Sequence, residues 1–193
     1  ASQWDVGEPC VWRRGSGLPG RRSLNNGSEV AQILLLDRDR TALDLTLSVA
    51  RREGVERLIQ PVEVDVLDRP AVQKAVGIQS CSVVECLGFF EYLPTDPPQD
   101  WIGAAEFLST AWSLVAPGGV LLFANMLDSH PELPFTAARR PLADIVPRSV
   151  DEVRSLVRCA GLSADDLDVW LPDDGVYAVT ASVDSAGETR IPR

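Results

Sequence analysis

Two kinds of residue in this chain are spaced for chemistry on a nucleotide. Gly15-Ser16-Gly17-Leu18-Pro19-Gly20 satisfies G-x-G-x-x-G, the loop that lets backbone amides approach a nucleotide closely. Asp37 follows about 20 residues later at the end of an apolar run, where an acid can accept ribose hydroxyls. Against this, Arg13 and Arg14 precede the glycines instead of a buried strand, and Pro19 lies among them. The same stretch therefore also reads as an ordinary turn-rich segment. Asp65 ends a second apolar run, although Asp68 lies close by and either acid could merely terminate a strand.

Groups for acid–base work are sparse. Glu85 sits inside an apolar run and Glu91 follows Phe89-Phe90, so either carboxylate could be half-buried and act as a base. A solvated loop acid is the plainer reading of Glu91. Asn125 follows an apolar run and could orient an amine or hydroxyl, or cap a turn. His130 is the sole histidine, and a surface role suits it as well as a catalytic one. The cysteines, Cys10, Cys81, Cys86 and Cys159, form no C-x-x-C pair, so no zinc-site spacing arises and no metal is expected. They read as small buried hydrophobes of a reducing cytoplasm.

The elements that must position these residues alternate from residue 30 onward. Val30 to Leu36 is a nearly continuous apolar run, as in a strand covered on both faces. Thr41 and Asp44 make a start close to a capping box for a helix that stops at Gly54. Strands are expected from Ile59 to Val66 and Cys81 to Leu87, with a short helix from Arg69 to Val76 between them. Pro94-Thr95-Asp96-Pro97-Pro98 cannot hold regular structure. A helix is expected from about Asp100 to Val115, then a turn at Pro117-Gly118-Gly119 and a strand from Val120 to Ala124. Leu127 to Pro147 is long and irregular, in the manner of a functional lid. Ser149-Val150-Asp151-Glu152 is a full capping box opening a helix that ends at Gly161. Leu167 to Leu171 and Val176 to Val183 flank Pro172-Asp173-Asp174-Gly175, a hairpin signal.

This order predicts an α/β fold: a doubly wound, mostly parallel sheet with helices on both faces and a C-terminal antiparallel hairpin. Residues 1–29 form an irregular N-terminal segment, 30–185 the domain and 186–193 a tail. The 193 residues suffice for one core, and the 45% hydrophobic content is that of a globular chain. A net charge of -10 argues against nucleic acid or an anionic membrane as partner. No apolar stretch reaches the roughly 20 residues of a membrane span, and no signal peptide is read at the start.

Leu34-Leu35-Leu36-Asp37, Val64-Asp65-Val66, "SVVECLGFFEYLP" and "LVAPGGVLLF", with "DDGVYAVTASV" at the end, resemble class I S-adenosylmethionine-dependent methyltransferases as an ordered set. The resemblance covers about residues 30 to 183. Stretches such as "GFFEYLP" and "DGVY" also resemble a bacterial branch of uncharacterised methyltransferases. It implies S-adenosylmethionine as cofactor, with Asp37 on the ribose, Arg38 along the adenine, and Asp65 and the Val66 amide on the adenine edge. Cys86, Leu87 and Gly88 would face the methionine part, Gly15 and Gly17 would belong to the first loop, and Phe89, Phe90 and Tyr92 would wall the substrate pocket. It implies a Rossmann-like domain that methylates a small molecule, largely by aligning the nucleophile with the cofactor methyl. The acceptor, the catalytic base and the oligomeric state stay open.

Two other readings remain. A nicotinamide-dependent oxidoreductase shares the glycines and Asp37, but the expected hairpin and the missing Tyr-x-x-x-Lys pair count against it. A non-catalytic Rossmann-like binding or assembly module follows from the defective first strand. Cys10-Val11-Trp12 is short for the central place in such a sheet, and a vacancy there would leave two edges unpaired. Either residues 1–29 build an unusual version of that strand and loop, or residues between Cys10 and Val30 are missing from the sequence as read.

Overall fold

The computed structural model describes residues 10–14, 32–130, 133, 145–164, 167–170 and 176–182. They form seven strands and four α-helices: β1 (Cys10–Arg14), β2 (Gln32–Asp37), α1 (Arg40–Arg52), β3 (Ile59–Glu63), α2 (Arg69–Val76), β4 (Cys81–Cys86), α3 (Ala104–Leu114), β5 (Val115–Met126), α4 (Val150–Cys159), β6 (Leu167–Trp170) and β7 (Val176–Ser182). A mixed α/β sheet results, in the order β3-β2-β1-β4-β5-β7-β6. β2 and β3 run parallel, as do β4 and β5, while β7 is antiparallel to both β5 and β6.

The central place is filled, and in reverse. Cys10–Arg14 pairs antiparallel with β2, Cys10 opposite Leu36 and Arg14 opposite Gln32, and antiparallel with β4. Ladder pairing needs only backbone donors and acceptors, so these residues pair with five positions of β2 and three of β4 whatever their polarity. The reversal has a geometric result. Arg14, which leads into Gly15, lies at the amino end of β2, about 17 Å along the strand from the level of Asp37.

Helix ends follow local chemistry. The start of α1 differs from the Thr41 cap expected: Asp39 is the N-cap, its Oδ1 accepting from the Thr41 amide at 2.7 Å. A carboxylate outcompetes a threonine hydroxyl for this role, and Asp44 instead pairs with Arg40 at 3.1 Å. At the other end, Gly54 adopts φ +73°, and the amides of Gly54 and Val55 donate to Arg51 O and Ala50 O. That is a Schellman closure. Gly161 repeats it after α4, with its own amide on Arg158 O and that of Leu162 on Val157 O. The Ser149 capping box forms in full, Glu152 Oε2 accepting from the Ser149 amide at 2.8 Å.

α3 starts at Ala104, later than Asp100, because Asp100 takes φ +74° and Pro94 O receives the Ala104 amide. The turn expected at Pro117-Gly118-Gly119 is an irregularity inside β5. Cys81 pairs with Val115 but Val83 with Val120, so the extra residues bulge from the ladder. Gly119 is required there, since a Cβ would stand 2.8 Å from Ala116 O and 2.9 Å from Ser82 O.

One main core joins Leu34, Leu36, Val84, Cys86, Leu121 and Phe123 of the sheet to Val72 and Val76 of α2, Phe107, Leu108 and Ala111 of α3, and Val153 and Val157 of α4. Leu35 is buried outside this cluster, as are Leu43 and Ala50 of α1, which packs on β2 and β3. The period of two along a strand separates Leu35 from Leu34 and Leu36.

Candidate functional site

β2 and β3 run parallel and in register, with Asp37 opposite Glu63, so Asp37 and the residues after Glu63 emerge at one edge. The Val64 amide donates to Asp37 O at 2.9 Å and ties the two exits together. Each acid then closes a small turn on itself. Asp37 Oδ1 accepts from the Asp39 amide at 2.8 Å, and Asp65 Oδ1 accepts from the Leu67 amide at 3.0 Å. The local bonds fix both carboxylates in orientation and leave each a second oxygen. Arg38 Nη1 stands 4.0 Å from Asp65 Oδ2, both side chains about half exposed at 46% and 45%.

The choice between Asp65 and Asp68 is decided by capping. Asp68 Oδ1 accepts from the Ala71 amide at 3.0 Å as the N-cap of α2. Val66 is half-buried against the core.

β4 delivers the next group to the same edge. Cys86 is fully buried opposite Phe123, and Gly88 turns the chain at φ +76°. Phe89 stacks at 5.1 Å on Phe107 and keeps partial exposure. Phe90, expected as pocket wall, is 0% exposed and lies edge-on to Phe123 at 4.9 Å. It belongs to the core, whereas Phe89 and Tyr92 keep partial exposure. Glu91 Oε2 is shielded from water, and Glu91 O receives the Val146 amide at 2.7 Å.

Asn125 is fully buried and its amide is engaged on both sides: Nδ2 donates to Met126 O at 2.6 Å, and Oδ1 accepts from Arg148 Nη1 at 2.6 Å. His130 is half-exposed, its amide donating to Leu127 O at 3.1 Å. Gly15 and Gly17 lie outside the described residues, as does most of the stretch expected to form a lid. The residue missed in the sequence is Arg148, 1% exposed beside the end of β5. Burying a guanidinium costs on the order of several kcal/mol unless it is fully hydrogen-bonded, and a lone arginine between Pro147 and Ser149 carries no pattern that announces burial.

No family model matches the chain, and no curated protein matches it. Solved structures do. An O-methyltransferase family protein from Burkholderia thailandensis is 20% identical over 80% of this chain and 44% of its own, with a TM-score of 0.59. The S-adenosylmethionine-dependent methyltransferase SibL is 19% identical over 79% and 43%, with a TM-score of 0.57. The fold is that of the class I methyltransferases. A possible exported protein from Bordetella parapertussis shares this methyltransferase fold at 18% identity and a TM-score of 0.63, over 80% of this chain and 54% of its own. The chain spans about half the length, or less, of these structures. No helix of the methyltransferase fold here, among the described residues, is long and apolar enough to cross a membrane.

Proposed function

We propose that this chain binds S-adenosylmethionine at the edge where β2, β3 and β4 end, and transfers its methyl group to a small molecule. The observation that carries the reading is the pair Asp37 and Asp65. They are two carboxylates on neighbouring strand exits, each held through Oδ1 by its own turn, with Oδ2 of Asp65 facing Arg38. This donor set suits the cofactor's nucleoside half. Asp37 would take the ribose hydroxyls, Asp65 the adenine amino group, the Val66 amide a ring nitrogen, and Arg38 would lie along the adenine. The backbone of Cys86, Leu87 and Gly88 would border the methionine part.

When bound, the cofactor supplies an activated methyl group. The protein's part is to orient the nucleoside, exclude water with Phe89 and Tyr92, and align the acceptor with that methyl. Among the structural neighbours are O-methyltransferases and a carbon methyltransferase, so the acceptor atom is not fixed by the fold. We read the architecture as a doubly wound sheet closed by the β6–β7 hairpin and working in the cytoplasm. The acidic charge favours a small acceptor over nucleic acid.

The reversed β1 favours a second reading, a binding module without turnover, because Arg14 ends that strand at the opposite end of β2 from Asp37. Calorimetry with S-adenosylmethionine, with NAD as control, tests both. Micromolar binding of the first alone is expected, and formation of S-adenosylhomocysteine on a phenol and amine panel separates enzyme from module. Absence of binding at about millimolar ligand, some 4 kcal/mol of affinity, would overturn the proposal.

A further inference from the structure

Arg148 grips two distant segments with one side chain. Its Nε donates to Thr95 Oγ1 at 3.2 Å and its Nη2 to Leu93 O, both on the chain leaving β4. Its Nη1 donates to Asn125 Oδ1 at 2.6 Å, at the end of β5, and to Val146 O at 3.4 Å. The guanidinium lies 4.9 Å from the centroid of Phe90, which itself abuts Phe123. The backbone joins in, the Arg148 amide donating to Met126 O at 3.0 Å. Arg148 therefore fastens the Phe89–Thr95 loop to the end of β5 at a point just beyond the backbone of Cys86 to Gly88.

We propose that Arg148 is the positioning residue for the acceptor side of the site, holding Phe89 and Tyr92 at the edge where an acceptor must approach the cofactor methyl. What the loop faces rests on the methyltransferase reading; the clamp rests on the contacts alone. The planar fork is essential to it. Three nitrogens of fixed geometry reach four acceptors on Leu93, Thr95, Asn125 and Val146, and a lysine, with one nitrogen, can serve only part of them. Asn125 is the complementary half. With its Nδ2 committed to Met126 O, its Oδ1 accepts from the guanidinium.

The test is amide hydrogen exchange on wild type, R148M and R148K, alongside calorimetry with S-adenosylmethionine. In folded R148M, exchange in peptides spanning residues 89–96 and 145–149 should quicken by about tenfold, as local opening becomes easier. Peptides from β2 and α1 should keep wild-type protection, and cofactor affinity should stay within about threefold. R148K should recover only part of the lost protection. Unchanged exchange in 89–96, equal loss in β2 and α1, or full recovery by lysine would overturn the proposal. If R148M does not fold, T95V removes a single contact of the clamp and should quicken the same peptides about twofold, and no change there would count against it. Wild-type protein that binds no S-adenosylmethionine would overturn the functional reading, while the exchange pattern still decides the clamp.

Discussion

Asp37 and Asp65 repeat one device on adjacent strand exits: an Oδ1 that accepts the amide two residues later, at 2.8 Å and 3.0 Å. Neither carboxylate is left to swing, so a ligand meets acceptors already aimed. The entropy of ordering them has been met by the turn before binding begins.

Removal of Asp37 should therefore hurt binding far more than stability. On the proposed reading Asp37→Ala removes the carboxylate that would accept from the ribose, and it should weaken S-adenosylmethionine by about 10- to 100-fold, since a hydrogen bond to a charged group contributes about 1.5–3 kcal/mol. Calorimetry measures the first effect and thermal melting the second. Arg38→Ala should change the melting temperature little, because its 4.0 Å pair with Asp65 is half exposed and such pairs contribute about 0–1 kcal/mol.

Gly17 should matter less than its motif suggests. The chain leaves β1 at Arg14, opposite Gln32, on the far side of the sheet from Asp37. Gly17→Val is expected to leave cofactor affinity within about twofold by calorimetry, because Arg14 ends β1 at the opposite end of β2 from Asp37. A loss comparable to that of Asp37→Ala would show that the glycines reach the ligand.

Gly119 is a packing requirement. Glycine alone fits where a Cβ would meet Ala116 O at 2.8 Å, Ser82 O at 2.9 Å and Val115 Cγ1 at 2.9 Å. Two of those atoms are backbone, which cannot step aside as a flexible side chain can. Gly119→Ala should cost about 1–3 kcal/mol in urea unfolding, with no direct effect on the Asp37 edge.

The capping box of α4 gives a pH signature. The Ser149 amide, then its hydroxyl, and the Arg148 charge hold the Glu152 carboxyl below its ordinary value of 4.5. A depressed folded value means this stabilisation is complete above about 4.5 and fades as pH falls through the folded value. Glu152→Gln should flatten the profile by lowering stability at neutral pH toward its acid value while changing little below the folded value, as read by chemical unfolding at several pH values. Ser149→Ala, which removes the cap itself, should cost about 1 kcal/mol at neutral pH.

What the sequence reveals here is what neighbours in sequence decide. Arg69–Val76 as a helix, the Ser149–Glu152 box and the apolar run ending in Asp37 are each written within a few residues, and each stands as expected. Phe89 and Phe90 show where that legibility stops. Adjacent and identical in type, they differ in burial because Phe90 meets Phe123 and Arg148 from distant segments. Arg148 was invisible for the same reason, since its partners Leu93 and Asn125 lie 55 and 23 residues away. The direction of Cys10–Arg14 also depends on strands far along the chain, and no local pattern specifies it.

The five residues of β1 carry a mechanical burden out of proportion to their number. β2 pairs with β1 and β3, and β4 pairs with β1 and β5, so the two parts of the sheet meet only through that strand. Asp37 and Asp65 stand on one part and Cys86 to Gly88 on the other. A ligand touching both would bridge a seam joined by the two short ladders of β1 and by the shared core, and its binding would resist the seam's opening. The gap between the halves would be the quantity that a ligand spanning both governs.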